Sequence, residues 1–279
     1  MTVPLDIHSL ASHAGMFSLA TARVAGLALS TPVLMAAGIP MRAKVLLIVL
    51  IAAASYPFVC SVCPMAAPVT DVVGLVPMIV GEAAVGFCLG LIASMPLLFL
   101  EAAGGICGHQ MGFGLARVYN PAADEDADVL GQLLYFIGFG TFLAVGGLER
   151  IFSMLIGTFE VLPPGAATVG LIATVDWTRA VGDGVELALR VSAPVTGIVI
   201  ISSAVLGLIG KTMPQISIMS VGFTVKAVAG ILVLALSVLA IGEVSADDID
   251  AALRRAGGWA GLLGEVQAER ALEEADHGR

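Results

Sequence analysis

The sequence predicts an all-α, membrane-associated protein built of kinked helical hairpins, and three observations carry that expectation. First, 58% of the 279 residues are hydrophobic and only 13% charged, with a mean hydropathy of +0.99. Soluble domains sit nearer about 45–50% apolar and about 25% charged, so a water-exposed chain of this composition could not cover its own surface. The apolar excess needs lipid, or the interior of a large assembly, as its solvent. Second, the uncharged runs have the length of a bilayer crossing, which takes about 20 apolar helical residues. Third, no segment alternates apolar and polar residues between regular turns, as membrane β-barrel strands do. Low aromatic content (6%) and 33 glycines suit close helix–helix packing instead.

Charges serve as the ruler for the elements. Eighteen uncharged residues separate Arg23 from Arg42, 26 separate Lys44 from Asp71, and 18 separate Glu82 from Glu101. Twenty lie between Asp128 and Glu149 and 20 between Arg190 and Lys211, while Lys226 has 14 before it and 16 after it. These runs define about six long apolar segments, roughly 14–38, 43–60, 72–103, 129–159, 185–210 and 214–242. Two features depart from a plain bundle of membrane helices. Ionisable residues lie in or beside the segments, notably Arg23, Glu82, Glu101, Arg190 and Lys226, and such groups are costly in lipid unless they face a partner or a wet cavity. Prolines also interrupt them, including Pro57, Pro77, Pro96, Pro163, Pro164 and Pro194, and irregular backbone at membrane depth survives only under protein or beside a water-filled lumen. The expected object is a set of kinked hairpins packed against other polypeptides.

The net charge of −9 is localised. Asp124, Glu125, Asp126 and Asp128 contribute −4, the stretch from Glu243 to Arg279 contributes −5, and the rest is balanced. That pattern argues against a basic nucleic-acid or phosphate-binding face. Arg42, Lys44 and Lys211 place their connections towards the cytoplasm by the positive-inside rule. The first basic residue is Arg23, so no positive n-region opens a secretory signal, and insertion through the chain's own segments is expected. Cys60-Ser-Val-Cys63 stands alone, with no second pair and no nearby His, and reads as ordinary buried thiols rather than a metal or redox site. There is no HExxH, GxSxG or P-loop, and the four histidines have no metal-site spacing, so no catalysis, metal or cofactor is expected.

Two stretches carry candidate function. In residues 101–121, Gly104, Gly108 and Gly112 recur every four residues, a side-chain-free stripe on any helix they form. Gly112 and Gly114 then alternate with Met111, Phe113 and Leu115. One reading is a packing stripe followed by an ordinary loop; the other is a mobile apolar constriction that gates a pore by excluding water. The second stretch, Gly207 to Gln215, sets two glycines, Lys211, Met213 and Pro214 between apolar runs and reads as a tight hairpin tip. Ser245-Ala-Asp247-Asp248 then resembles a helix start. A short amphipathic helix ending at Gly257-Gly258 is expected there, with 264–279 disordered.

With these residues in view, the chain resembles the FliR/SctT family, the R/T subunit of the type III protein-export gate. The resemblance rests on Gly108-His-Gln110-Met111-Gly112 through Tyr119-Asn120-Pro121, Val129 to Leu134, Ser153 to Pro163-Pro-Gly165, and Met213-Pro214-Gln215-Ile-Ser217. It covers about residues 10–242. It implies a non-enzymatic, multi-pass subunit of the bacterial inner membrane, in the flagellar basal body or an injectisome, with the flagellar branch favoured. It also implies a fusion of P-type and Q-type gate subunits: a P-like portion over 1–184 with a plug loop near 105–121, a Q-like hairpin over 185–242, and an acidic tail over 243–279. The implied partners are the P-type and Q-type subunits (FliP, FliQ), the FlhB-type switch subunit, unfolded export substrates in transit, and membrane lipid. The family's plug maps to Gln110, Met111, Gly112, Phe113, Gly114, Leu115, Val118 and Pro121. Aromatics often found in members are replaced here by Leu115 and Val118, and a frequent acidic residue by Gly105. A rival of another class is a secondary transporter with a broken-helix site at 104–114 and an ion relay through Glu82 and Glu101.

Overall fold

A computed structural model describes residues 7–31, 40–62, 72–113, 128–212 and 218–277, and every regular element among them is helical. In chain order these are α1 (Ile7–Ser30), α2 (Met41–Val62), α3 (Val72–Met111), α4 (Val129–Ala144), α5 (Gly147–Val161), a 3-10 turn (Val169–Thr174), α6 (Trp177–Thr212) and α7 (Ile218–His277). The all-α expectation holds. Helices α2, α3, α6 and α7 are each long and apolar enough to cross a membrane, and α4 with α5 makes a fifth span if the pair counts as one. The first apolar segment, 14–38, is described only to Thr31.

The chain divides into two compact units. The first comprises Met1–Ser94, Gly147–Trp177 and Ala251–Arg279; the second comprises Met95–Gly146 and Thr178–Asp250.

In the first unit α1 crosses α3 at backbone contact. A Cβ on Gly26 would run into the Ala83 carbonyl, and one on Gly86 into the Arg23 carbonyl. Small residues at this spacing let two helices approach as closely as membrane helices do. Helix α2 joins through Tyr56, whose hydroxyl donates to the His13 carbonyl at 3.2 Å and whose ring meets Phe17 edge-on at 5.5 Å. Helix α5 is amphipathic: Gly147, Ile151, Leu155, Thr158 and Phe159 recur at helical spacing and are buried. After it, Pro163-Pro164-Gly165-Ala166 makes a turn, with the Ala166 N–H donating to the Pro163 carbonyl at 3.0 Å and Gly165 at φ +94°. Proline at the second position and a left-handed glycine at the third are what a type II turn requires.

The tail differs from the sequence expectation. Helix α7 runs unbroken through Ser245 and Gly257-Gly258 to His277. Ser245 is no cap: it is buried, and its hydroxyl donates to the Ile241 carbonyl one turn back. Neither glycine stops the helix; Gly257 faces a close neighbour, whereas Gly258 has open space beside it. A Cβ on Gly257 would stand 3.3 Å from Met154 Sδ, and one on Gly264 would overlap Val161. Leu253, Ala256, Trp259, Ala260 and Leu263 are buried beside them, and Trp259 Nε1 donates to Thr174 Oγ1 at 2.9 Å.

The prolines also differ. Pro57 and Pro194 lie inside α2 and α6, and Pro77 and Pro96 inside α3, without ending any of them. Each removes one backbone hydrogen bond, which an apolar helix tolerates when packing holds both sides of the kink.

The second unit is an apolar cluster formed by the end of α3, α4, α6 and the first part of α7. Leu100, Cys107, Met111, Leu134, Leu187, Val191, Val195, Leu234 and Ile241 are among its buried members. The glycine stripe functions here as a packing surface: a Cβ on Gly104 would strike the Leu130 carbonyl and the Gly131 backbone. Asp128 starts α4, its Oδ1 accepting from the Gly131 N–H at 3.0 Å, so the last acid of the charged loop is an N-cap.

Candidate functional site

The candidate site is the C-terminal end of α3, where the sequence motif Gly108-His-Gln-Met-Gly112 falls. The helix closes with both bonds of a Schellman motif: Phe113 N–H donates to the Gly108 carbonyl at 3.0 Å, and Gly112 N–H to the His109 carbonyl at 3.1 Å. Gly112 sits at φ +92°. That left-handed position after the last helical residue favours glycine because a Cβ there is strained. Gly112 therefore ends α3 at a fixed place, a firmer role than the flexibility its alternation with apolar residues suggests.

The side chains around it are sorted sharply. Met111 is fully buried and packs against the backbone of α7 at Gly230. Gln110 and His109 are exposed, and Phe113 is half-buried, meeting Phe223 edge-on at a centroid distance of 6.2 Å. Met111 is thus an anchor in the unit's core. Of the expected plug residues, Gly114, Leu115, Val118 and Pro121 lie outside the described residues.

Beside this helix end lies a cavity of about 520 Å³. Helix α3 and the turn after it contribute His109, Gln110, Met111 and Gly112. Helix α6 contributes Ser203, Leu206 and Gly207, and α7 contributes Gly222, Phe223 and Lys226. The structure thus brings together the Gln-Met-Gly motif and Lys226, which the sequence flagged separately. Ser203, Leu206, Gly222 and Phe223 were not singled out by sequence. Their signal is the i, i+3, i+4 spacing of 203, 206 and 207 and the i, i+1, i+4 spacing of 222, 223 and 226, each on one helix face.

The first part of the expected hairpin tip, 207–212, is helix rather than turn. Gly207 and Gly210 are helical, and α6 continues to Thr212, because alternatives to a turn exist for a glycine flanked by apolar helix formers. Lys211 is exposed in the last turn of α6, where a cation complements the helix dipole. Met213, Pro214 and Gln215 lie outside the described residues.

The charges in apolar segments have three different fates. In the first unit, Arg23 and Glu82 are completely buried and paired, Nε donating to Oε2 at 2.6 Å. Arg23 Nη1 also donates to Thr158 Oγ1 at 3.1 Å and Nη2 to the Leu162 carbonyl at 2.9 Å, while its Cζ stands 4.4 Å from the centre of the Phe159 ring. The other carboxylate oxygen of Glu82 accepts from the Gly165 N–H at 2.8 Å. One ion pair thus ties α1, α3, α5 and the Pro-Pro-Gly turn together. In the second unit Arg190 pairs with Glu186 one turn away and approaches Asp248 at 4.0 Å. Glu101 is exposed, and Lys226 is half-buried at the cavity. The internal Arg23–Glu82 pair removes the need for a neighbouring subunit to neutralise those two charges.

Comparison with known proteins fits these observations. The chain is 27% identical over 232 residues to the surface presentation of antigens protein SpaR of Salmonella typhimurium, covering 83% of this chain and 84% of that one. It is 28% identical over 214 residues to the flagellar biosynthetic protein FliR of Escherichia coli, covering 76% and 80%. It is also 27% identical over 215 residues to the FliR of Pectobacterium carotovorum, covering 77% and 80%. The family profile described as bacterial export proteins, family 1, matches residues 14–252, and the chain belongs to that family.

Proposed function

We propose that the protein is a non-enzymatic structural subunit of a bacterial type III protein-export gate, in the inner membrane, and that it serves the flagellar system. The family match supports the export role. The structural observation that carries the gate reading is the outward apolar surface of the α6–α7 hairpin. Val181, Val185, Leu189, Ile200, Ile201, Val205 and Leu208 on α6, and Val221, Val228, Ile231, Leu232, Leu236 and Leu239 on α7, are all exposed. Helix α6 has 36 residues, and α7 is uncharged from Ile218 to Gly242 except at Lys226, against the about 20 residues that span a bilayer core. So much apolar length fits burial against neighbouring subunits as well as lipid.

In this reading residues 1–184 form a P-like portion, 185–242 a Q-like hairpin and 243–279 an acidic tail. The P-type, Q-type and FlhB-type subunits (FliP, FliQ, FlhB) are its neighbours. Phe113, at the fixed end of α3 next to the buried Met111, and the residues Gly114, Leu115 and Val118 that follow it in sequence supply the apolar seal of the resting channel, which unfolded cargo displaces. The injectisome reading is the alternative, since SpaR is as similar to the chain as FliR is.

The test is deletion of the gene in its host, with affinity purification of a tagged chromosomal copy. Loss of flagella and motility, together with co-purification of P-type and Q-type subunits, is expected. Intact motility with loss of a virulence or symbiosis secretion activity transfers the chain to the injectisome. A monodisperse, long-lived monomer active alone in lipid contradicts the gate and favours a transporter.

A further inference from the structure

Lys226 is the one charge in 31 consecutive residues, 212–242, and it is half-buried. Among the described residues it has no ion pair, and none of the described residues lining its cavity is acidic. A cation held at such a place without a counter-charge is costly, so the site selects for an anion. The remaining lining is divided in character. His109 and Gln110 add polar groups, whereas Leu206, Phe223 and the buried Met111 are apolar. The surface on either side is apolar as well, with Val205, Leu208 and Ile209 exposed on α6 and Val221, Val225 and Val228 exposed on α7. A site for a small soluble anion has no use for that apolar rim; an amphiphile does.

We propose that this cavity binds the phosphate-bearing headgroup of an anionic phospholipid, with Lys226 as its counter-charge and an acyl chain laid along Leu206 and Phe223. The volume, about 520 Å³, lies within the about 300–1,000 Å³ of ordinary ligand pockets. It accommodates a glycerophosphate group and the start of a chain, the rest of the lipid resting on the exposed helix faces. Gly207 lines the cavity with open space beside it, since a Cβ there would meet nothing within 4 Å. This proposal stands on the cavity and its charge, not on the export reading.

The test uses the full chain, with whatever subunits co-purify, in phosphatidylcholine nanodiscs with and without phosphatidylglycerol. Native mass spectrometry reads the lipid retained after detergent delipidation. Retention of phosphatidylglycerol over phosphatidylcholine is expected, falling about fivefold in Lys226→Gln, the worth of one lysine at an anionic lipid surface, and kept in Lys226→Arg. Gly207→Leu, which fills the cavity while improving helix propensity, is expected to lose the lipid with the charge intact. Equal retention by the wild type and both loss variants overturns the proposal. So does displacement of the lipid by inorganic phosphate, which marks a site for free anions. A complex that retains no lipid and cross-links Lys226 to a carboxylate of another subunit also overturns it. Secretion is not read in any arm, so failure here leaves the export reading standing.

Discussion

Arg23 Nε lies 2.6 Å from Glu82 Oε2, and neither side chain has any exposed surface. The partners are 59 residues apart in sequence, and the same two side chains reach Thr158, the Leu162 carbonyl and the Gly165 N–H. A buried pair contributes little net stability over an apolar substitute, but removing one member strands the other charge at about 3–5 kcal/mol. Arg23→Met and Glu82→Met are each expected to cost that much, whereas the double variant Arg23→Met/Glu82→Met is expected to be milder than either. Thermal aggregation of the detergent-solubilised chain measures it. Additive losses in the double variant contradict a coupled pair.

Gly112 gives a second prediction. Its φ of +92° makes any β-branched replacement strained, by about 1–2 kcal/mol. Gly112→Val is expected to unwind the Schellman close, shift Phe113 from Phe223 and slow export; Gly112→Asn, which tolerates the left-handed region, is expected to be the milder change. Amide hydrogen exchange over 104–113 checks it, with unchanged protection in the valine variant as the contrary result.

The buried indole of Trp259 gives a third. Its burial beside α5 and its bond to Thr174 place a long segment of tail within the first unit, beyond residue 252 where the family match ends. Trp259→Ala is expected to cost about 3–5 kcal/mol, as large-to-small core changes do. Limited proteolysis should then cut α7 between 251 and 265. Equal resistance of wild type and variant would show that the tail is not docked.

What the sequence shows of this fold is uneven, and the reasons are physical. Membrane-grade length and composition made the helices legible, because lipid leaves few ways to satisfy a backbone. The stripe Gly104-Gly108-Gly112 announced close packing, and Gly104 does meet α4 backbone to backbone. Arg23 and Glu82 were legible as costly charges, but not as each other's partner, since only the crossing at Gly26 and Gly86 brings them together. Glycine is the residue whose place in the fold its sequence context shows least. Gly207, Gly257 and Gly258 look like turn or stop signals, yet all three are helical. The first lines a cavity, and the second lies against Met154. The cavity itself needed three distant segments placed side by side.

The most direct test of a sealing role is the passive ion permeability of membranes carrying the assembled complex after deletion of residues 112–118. An apolar constriction stops ions by dewetting, and Met111, which would anchor it, stays buried in the second unit. Normal assembly with a membrane leaky to small ions or dyes is the expected result. Normal assembly, normal export and no leak would contradict it, and would reduce 112–118 to a connector.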